Sequence, residues 1–114
     1  MSPDENAPRR GEVWWVAFDP AVGGEIKKTR PAIVVSNDSA NRFLNRIQVV
    51  PVTTNVKQLY PAEAYVTIRN RRHKAMADQI ATVSKQRLRE RLARLDARDL
   101  GAVERAVKVQ LALL

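Results

Sequence analysis

Arg30 is joined to Pro31 at the head of the apolar run Ala32-Ile33-Val34-Val35. Proline has no N–H to give to a ladder, so it fits the first position of a strand. It also drives the residue before it to an extended backbone. Arg30 is thereby held straight at the rim of a sheet. Its planar guanidinium can grip two phosphate oxygens at once, which a lysine cannot. The competing reading is a rim arginine paired with Glu25. A second apolar run, Gln48-Val49-Val50-Pro51-Val52, ends in Thr53 and Thr54. A hydroxyl at that point can donate to a non-bridging phosphate oxygen, although a β-branched residue also suits a strand for its shape alone. Thr53 and Thr54 would face opposite sides of a continuing strand, and a bulge would exchange them. Such a set suits chemistry at phosphorus, where positioning and fixed donors supply much of the catalysis.

Composition narrows the choice. The 114 residues suit one domain. Absence of cysteine removes disulfides, thiolate metal sites and a cysteine nucleophile together. His73 is the sole histidine, so a zinc site would have to lean on carboxylates, and a His–His acid/base pair within one chain is impossible. No metal or cofactor is expected. The formal net charge is +8, from 20 Lys+Arg against 12 Asp+Glu. That excess favours polyanionic partners: nucleic acid, an anionic membrane or an acidic protein segment. No apolar run reaches the ~20 residues that a bilayer span needs. The polar, acidic start Met1-Ser2-Pro3-Asp4-Glu5-Asn6 does not read as a signal peptide, and a cytoplasmic location is expected.

Three segments fall in a telling order: Gly11-Glu12-Val13-Trp14, then Thr29 to Asp38, then Gln48 to Asn55. Together they resemble the MazF/PemK toxins, small endoribonucleases of bacterial toxin–antitoxin systems. The resemblance runs from about Arg10 to the C-terminus. It implies a mainly β fold with a C-terminal helix, a small SH3-like antiparallel barrel that is usually a homodimer. It also implies cleavage of single-stranded RNA at a short motif without a metal, with the 2′-OH of the substrate as nucleophile. Messenger, transfer and ribosomal RNA all stay open as targets. Arg30 then acts on the scissile phosphate and Thr53 is its catalytic partner. Glu25, Lys27, Lys28, Thr54 and Gln79 are the expected substrate-binding residues. Glu25 follows Gly23-Gly24, where many relatives carry a glutamate; it can hydrogen-bond a base edge or assist proton transfer, and an exposed loop glutamate with no role is the equal alternative. Lys27 and Lys28 stand where relatives often have small residues, which leaves the target sequence open. Gln79 matches a strand glutamine of the family. An acidic antitoxin peptide should neutralise the basic groove.

Two rival functions come from other classes. The same barrel serves toxins that bind and poison DNA gyrase through aromatic and apolar residues at the end of the helix. Here the chain ends Gln110-Leu111-Ala112-Leu113-Leu114, without a tryptophan. A plain RNA-binding module would want exposed stacking aromatics, yet Phe, Trp and Tyr number two each.

Elements must carry these residues. Residues 1–9 read as a frayed tail, and 10–114 as a single domain. Strands are expected over Val13 to Phe18, Ala32 to Ser36, Ile47 to Thr53, Glu63 to Arg69 and Ala77 to Val83. Trp14 and Trp15 should point to opposite faces, with neither counted as a site. In the fourth strand Ala64, Val66 and Ile68 share one face. Asn70 to Lys74 reads as a basic turn, able to track a flanking phosphate or simply solvated. Over Arg87 to Leu95 the family resemblance implies one helical turn and a short strand near Leu92–Leu95. Asp96 should cap a helix whose stripe is Leu100, Val103, Val107, Leu111 and Leu114, with Glu104 and Lys108 as a surface pair. The Glu12 to Phe18 strand and this helix are expected to help form the dimer.

Overall fold

The computed structural model describes residues 2–18 and 28–113. Seven antiparallel strands are described, followed by one long helix. They are β1 (Glu12–Ala17), β2 (Thr29–Val34), β3 (Arg46–Thr53), β4 (Glu63–Ile68), β5 (Arg71–Met76), β6 (Ala81–Ser84) and β7 (Leu88–Arg94). A short helix α1 (Asp38–Phe43) joins β2 to β3, and α2 (Ala97–Gln110) ends the chain. The strand order is β4-β5-β3-β2-β1-β7, with β6 also pairing β3. Long β3 thus serves three partners: β2, β6 through its first half and β5 through its last residues. The sheet curls around it into a partly closed barrel.

Both faces of the central strands are buried, as alternation along each strand demands. One core gathers Val13, Ile33, Val50, Val52, Ala64, Val66 and Ile68 beneath Val103 and Ala106 of α2. The other gathers Val16, Ala32, Val34, Ile47, Val49 and Val83. The expected face of Ala64, Val66 and Ile68 lies in the first core. Asp96 caps α2, its carboxylate accepting from Asp99 N at 2.8 Å. Of the predicted stripe, Val103 is buried and Leu100 and Val107 pack beside it, whereas Leu111 is half exposed. Leu114 lies outside the described residues. Glu104 pairs with Arg10 at 2.7 Å, so the contact is tertiary rather than the expected one with Lys108.

Other expectations need correction. Arg71 to Lys74, read as a basic turn, is the first half of β5. The turn itself is Arg69-Asn70, both at positive φ, 50° and 64°, as a two-residue hairpin with the right-handed twist requires. Ala77 to Val83 is not one strand. Ala77–Gln79 is a 3₁₀ turn, and only Ala81–Ser84 is extended. The helical turn at Lys85–Arg87 is present, but β7 starts already at Leu88. The residues expected as a frayed tail make defined contacts. Asp4 N donates to Arg42 O at 2.8 Å, and Asp4 meets Lys85 at 3.3 Å.

Two polar networks hold the frame. Asn37 caps α1, while Asn41 is fully buried and donates to Ser36 O at 3.0 Å. Asp38 accepts from Arg10 N at 2.7 Å. The Ser36-Asn37-Asp38 segment therefore locks the far end of β2. At β1, buried Glu12 accepts from Arg9 N at 2.7 Å, Trp14 Nε1 at 3.1 Å and Arg91 at 3.1 Å. Burial pushes the Glu12 carboxyl up, but these three donors outweigh it and hold the group below its ordinary value of 4.5. A carboxylate depressed in the fold stabilises above its unfolded value, and that stability is lost as pH falls through the folded one. Wild type should therefore lose melting temperature below about pH 4.5 more steeply than Glu12→Gln, and exceed it at neutral pH. Parallel curves over the whole range would contradict this role.

Candidate active site

Arg30 lies in β2, next to the partnerless N of Pro31. The β2–β3 register pairs Ala32 with Pro51, Ile33 with Val50 and Val34 with Val49. Carried two residues further, it sets Arg30 across from Thr53. Alternation puts both on the face of Ala32 and Val49. They meet at an open pocket of about 450 Å³ at the strand ends. Thr54, Arg69, Arg71, His73 and Trp15 share its lining, with Pro31, Val52, Ile68 and Leu92 as the apolar floor.

The polar groups here are mostly donors. Arg30 is half-buried, and its guanidinium has no ion pair or hydrogen bond among the described residues. Thr53 Oγ1 accepts from Asn55 N at 3.2 Å, so its hydroxyl hydrogen is left for another acceptor. Thr54 lies in the bend past β3 and is exposed. Arg69 Nε donates to Leu92 O at 3.0 Å, tying the β4–β5 hairpin to β7 across the pocket. Three arginines and two hydroxyls around one cavity can bind a phosphate and stabilise added negative charge on it.

The remaining expected residues are distributed differently. Glu25 and Lys27 lie outside the described residues, so the Arg30–Glu25 alternative does too. Lys28 is exposed and does not line the pocket; its carbonyl accepts from Phe18 N at 3.1 Å. Gln79 sits in the 3₁₀ turn, not on a strand, with Nε2 3.6 Å from Met76 Sδ and away from the Arg30 pocket. The basic run is partly spent on structure. Lys74 is 8% exposed, paired with Glu63 at 3.1 Å and donating to Gln58 O at 2.9 Å. Arg72 stacks over Tyr65 at 4.6 Å. Only Arg69 and Arg71 of that run reach the pocket beside Arg30.

Two pocket residues escaped the sequence reading. Trp15 was not counted as a site, yet it pairs with Pro31 and lines the pocket with Arg30. His73 was noted only as the lone histidine, and its place here required β5 to be recognised as a strand.

Among the described residues, no group of three or more His, Asp or Glu side chains is arranged to hold a metal ion. No described helix is long and apolar enough to cross a membrane.

The fold is a curled antiparallel sheet with one packed helix, and an arginine–threonine pocket lies at its strand ends. The profile of the PemK-like, MazF-like toxins of type II toxin–antitoxin systems matches residues 9–111, and the chain belongs to that family. It is 40% identical over 114 aligned residues to the endoribonuclease MazF9 of Mycobacterium tuberculosis, covering 92% of this chain and 97% of that one. It is 31% identical to the endoribonuclease EndoA of Bacillus subtilis, covering 93% and 96%. Among solved structures it resembles MazF of Deinococcus radiodurans, with a TM-score of 0.80 at 28% identity over 96% of this chain and all of the other. The MazE–MazF complex of the same organism gives 0.76 at 27%, again over 96% of this chain and all of the other.

Proposed function

We propose that this toxin endoribonuclease cleaves single-stranded RNA at a short motif, without a metal, through attack of the substrate's own 2′-OH. The observation that carries the reading is the meeting of Arg30 and Thr53 in one pocket across the β2–β3 register. Arg30 holds the two non-bridging oxygens of the scissile phosphate and stabilises the charge that gathers there, while the Thr53 hydroxyl donates to one of them. No enzyme nucleophile is needed, because the ribose 2′-OH already lies beside the phosphorus. Arg69 and Arg71 widen the positive field for the flanking backbone. Lys27, Lys28, Glu25 and Thr54 contact the bases or flanking phosphates, and Gln79 serves a more distant nucleotide. The named activity of relatives at 31% and 40% identity favours cleavage over poisoning of gyrase. Purified protein should cut a long single-stranded RNA in excess EDTA; activity that vanished in chelator and returned with magnesium would end this mechanism.

The neutralising partner is an acidic antitoxin segment laid across the same groove; the MazE–MazF complex of the Deinococcus relative supports a protein partner, and the net charge of +8 supports an acidic one. The toxin works as a homodimer in the cytoplasm. Strand β1 is flanked by β2 and β7 and has no free edge, so the dimer draws on side chains and on exposed Val109, Leu111 and Leu113 at the end of the helix. With a net charge of +8, antitoxin association should slow as salt rises. RNA and antitoxin should compete for Lys27, Lys28 and Arg30. Independent binding of both at saturation would contradict a shared groove.

A further inference from the structure

We infer that His73 is a catalytic residue, the base that takes the proton from the attacking 2′-OH; this rests on the nucleophile proposed above. His73 stands on β5, is 8% exposed and lines the Arg30–Thr53 pocket. Its Nδ1 lies 3.0 Å from Arg71 O. A carbonyl only accepts, so Nδ1 carries the hydrogen and, in the neutral ring, Nε2 keeps its lone pair. Nε2 has no hydrogen-bond partner among the described residues. The ring is thus held in one tautomer by its own strand, at a cavity whose other polar side chains are arginines, threonine hydroxyls and the Trp15 indole.

Elimination gives the same answer. Among the described residues, which do not include Glu25, the charged groups around the cavity are Arg30 from β2, Arg69 from the hairpin and Arg71 from β5, none of which accepts a proton at neutral pH. Thr53 and Thr54 are hydroxyls too weakly basic for the task. No carboxylate lines the described pocket, and β4, β7 and β3 present only apolar or hydroxyl groups beside His73. Alternation places His73 on the opposite sheet face from Arg30, and the pocket lies at the rim, where both faces reach it. The step balances without a further reactant except water. The 2′-oxygen forms a bond to phosphorus as its proton passes to Nε2, and the bond from phosphorus to the 5′-oxygen breaks. The departing oxygen takes a proton from water in the open pocket, and the imidazolium returns its own to solvent.

The experiment measures cleavage against pH for wild type, His73→Gln, His73→Ala with and without added imidazole, and Glu25→Gln. Binding of an uncleavable RNA with one 2′-deoxyribose at the cleavage site is followed in parallel. His73→Gln should lose about 100-fold or more in rate, as for removal of a general base, along with the acid limb of the wild-type profile. It should still bind the deoxy-substituted RNA. Imidazole should partly restore His73→Ala. A substrate whose 5′-leaving oxygen is replaced by sulfur needs no acid, and the His73 variants should stay slow on it. Rescue by that sulfur would make His73 an acid and overturn the assignment. So would an unchanged profile in His73→Gln, or loss of the acid limb in Glu25→Gln alone. Should the variants not fold, the single histidine of wild type can be carbethoxylated. Loss of activity, reversal by hydroxylamine and protection by the bound deoxy RNA are expected, and activity surviving full modification would overturn the proposal. If wild type itself released 5′-phosphate ends, the 2′-OH reading would fail first; cyclic phosphate ends with an unaffected His73→Gln would sink this inference alone.

Discussion

Arg30→Ala should lower the cleavage rate by about 100-fold or more, the usual loss when a donor to transition-state charge is removed. The side chain is half-buried at the rim of β2, with no ion pair or hydrogen bond among the described residues. Its removal therefore strands no described partner, and circular dichroism should show an intact fold. Arg30→Lys should recover little, because an ammonium cannot span two phosphate oxygens in a planar fork. Thr53→Val keeps the branched shape and deletes the hydroxyl, so its loss should be smaller. Its Oγ1 also accepts from Asn55 N, and part of the effect will come through the bend after β3. Near-normal cleavage by well-folded Arg30→Ala would remove the centre of the proposed site.

Replacing one ribose by 2′-deoxyribose, just 5′ of the scissile phosphate, should abolish cutting. Binding should barely change, because phosphate contacts carry most of the affinity in such complexes. Single-stranded DNA of the same sequence should then be a weak inhibitor and never a substrate. This substitution is silent to the protein's fold, so its result reports the nucleophile alone. Cutting of the deoxy-substituted strand at the usual site would mean that activated water, and not the 2′-OH, is the nucleophile.

The frame of this molecule is legible where local chemistry and tertiary environment agree. Asp96 announces the helix by its capping oxygen, and the apolar run after Pro31 announces a strand, but β2 spans Thr29–Val34 instead of the expected Ala32 to Ser36, so Pro31 is its third residue and not its first. Alternation of Ala64, Val66 and Ile68 reports one buried face directly. The reading failed where long-range partners override local preference. Arg71-Arg72-His73-Lys74 looks like a solvated turn, because four polar residues carry no strand signal. Extended structure there is sustained by ladders to β3 and β4, by the Lys74–Glu63 pair and by Arg72 stacking on Tyr65. All of these contacts run between strands, where the propensity of a single residue does not report them. The same miss hid His73 from the site and put Gln79 on a strand that the 3₁₀ turn interrupts. Glu104 shows the effect on a helix, exchanging a neighbour four residues on for Arg10 at the other end of the chain. At the pocket, Arg30 and Thr53 could be named from residue type and position. Their shared face depends on the β2–β3 register, which no single strand encodes.

The central claim is that the RNA supplies its own nucleophile to a phosphate held by Arg30. The most direct measurement is the chemistry of the fragment ends after brief cleavage of a defined single-stranded RNA in excess EDTA, read by mass spectrometry. The upstream fragment should end in a 2′,3′-cyclic phosphate, opening slowly to a 3′-phosphate, and the downstream fragment should begin with a free 5′-hydroxyl. A 5′-phosphate on the downstream fragment, or a requirement for added metal before any ends appear, would contradict the account.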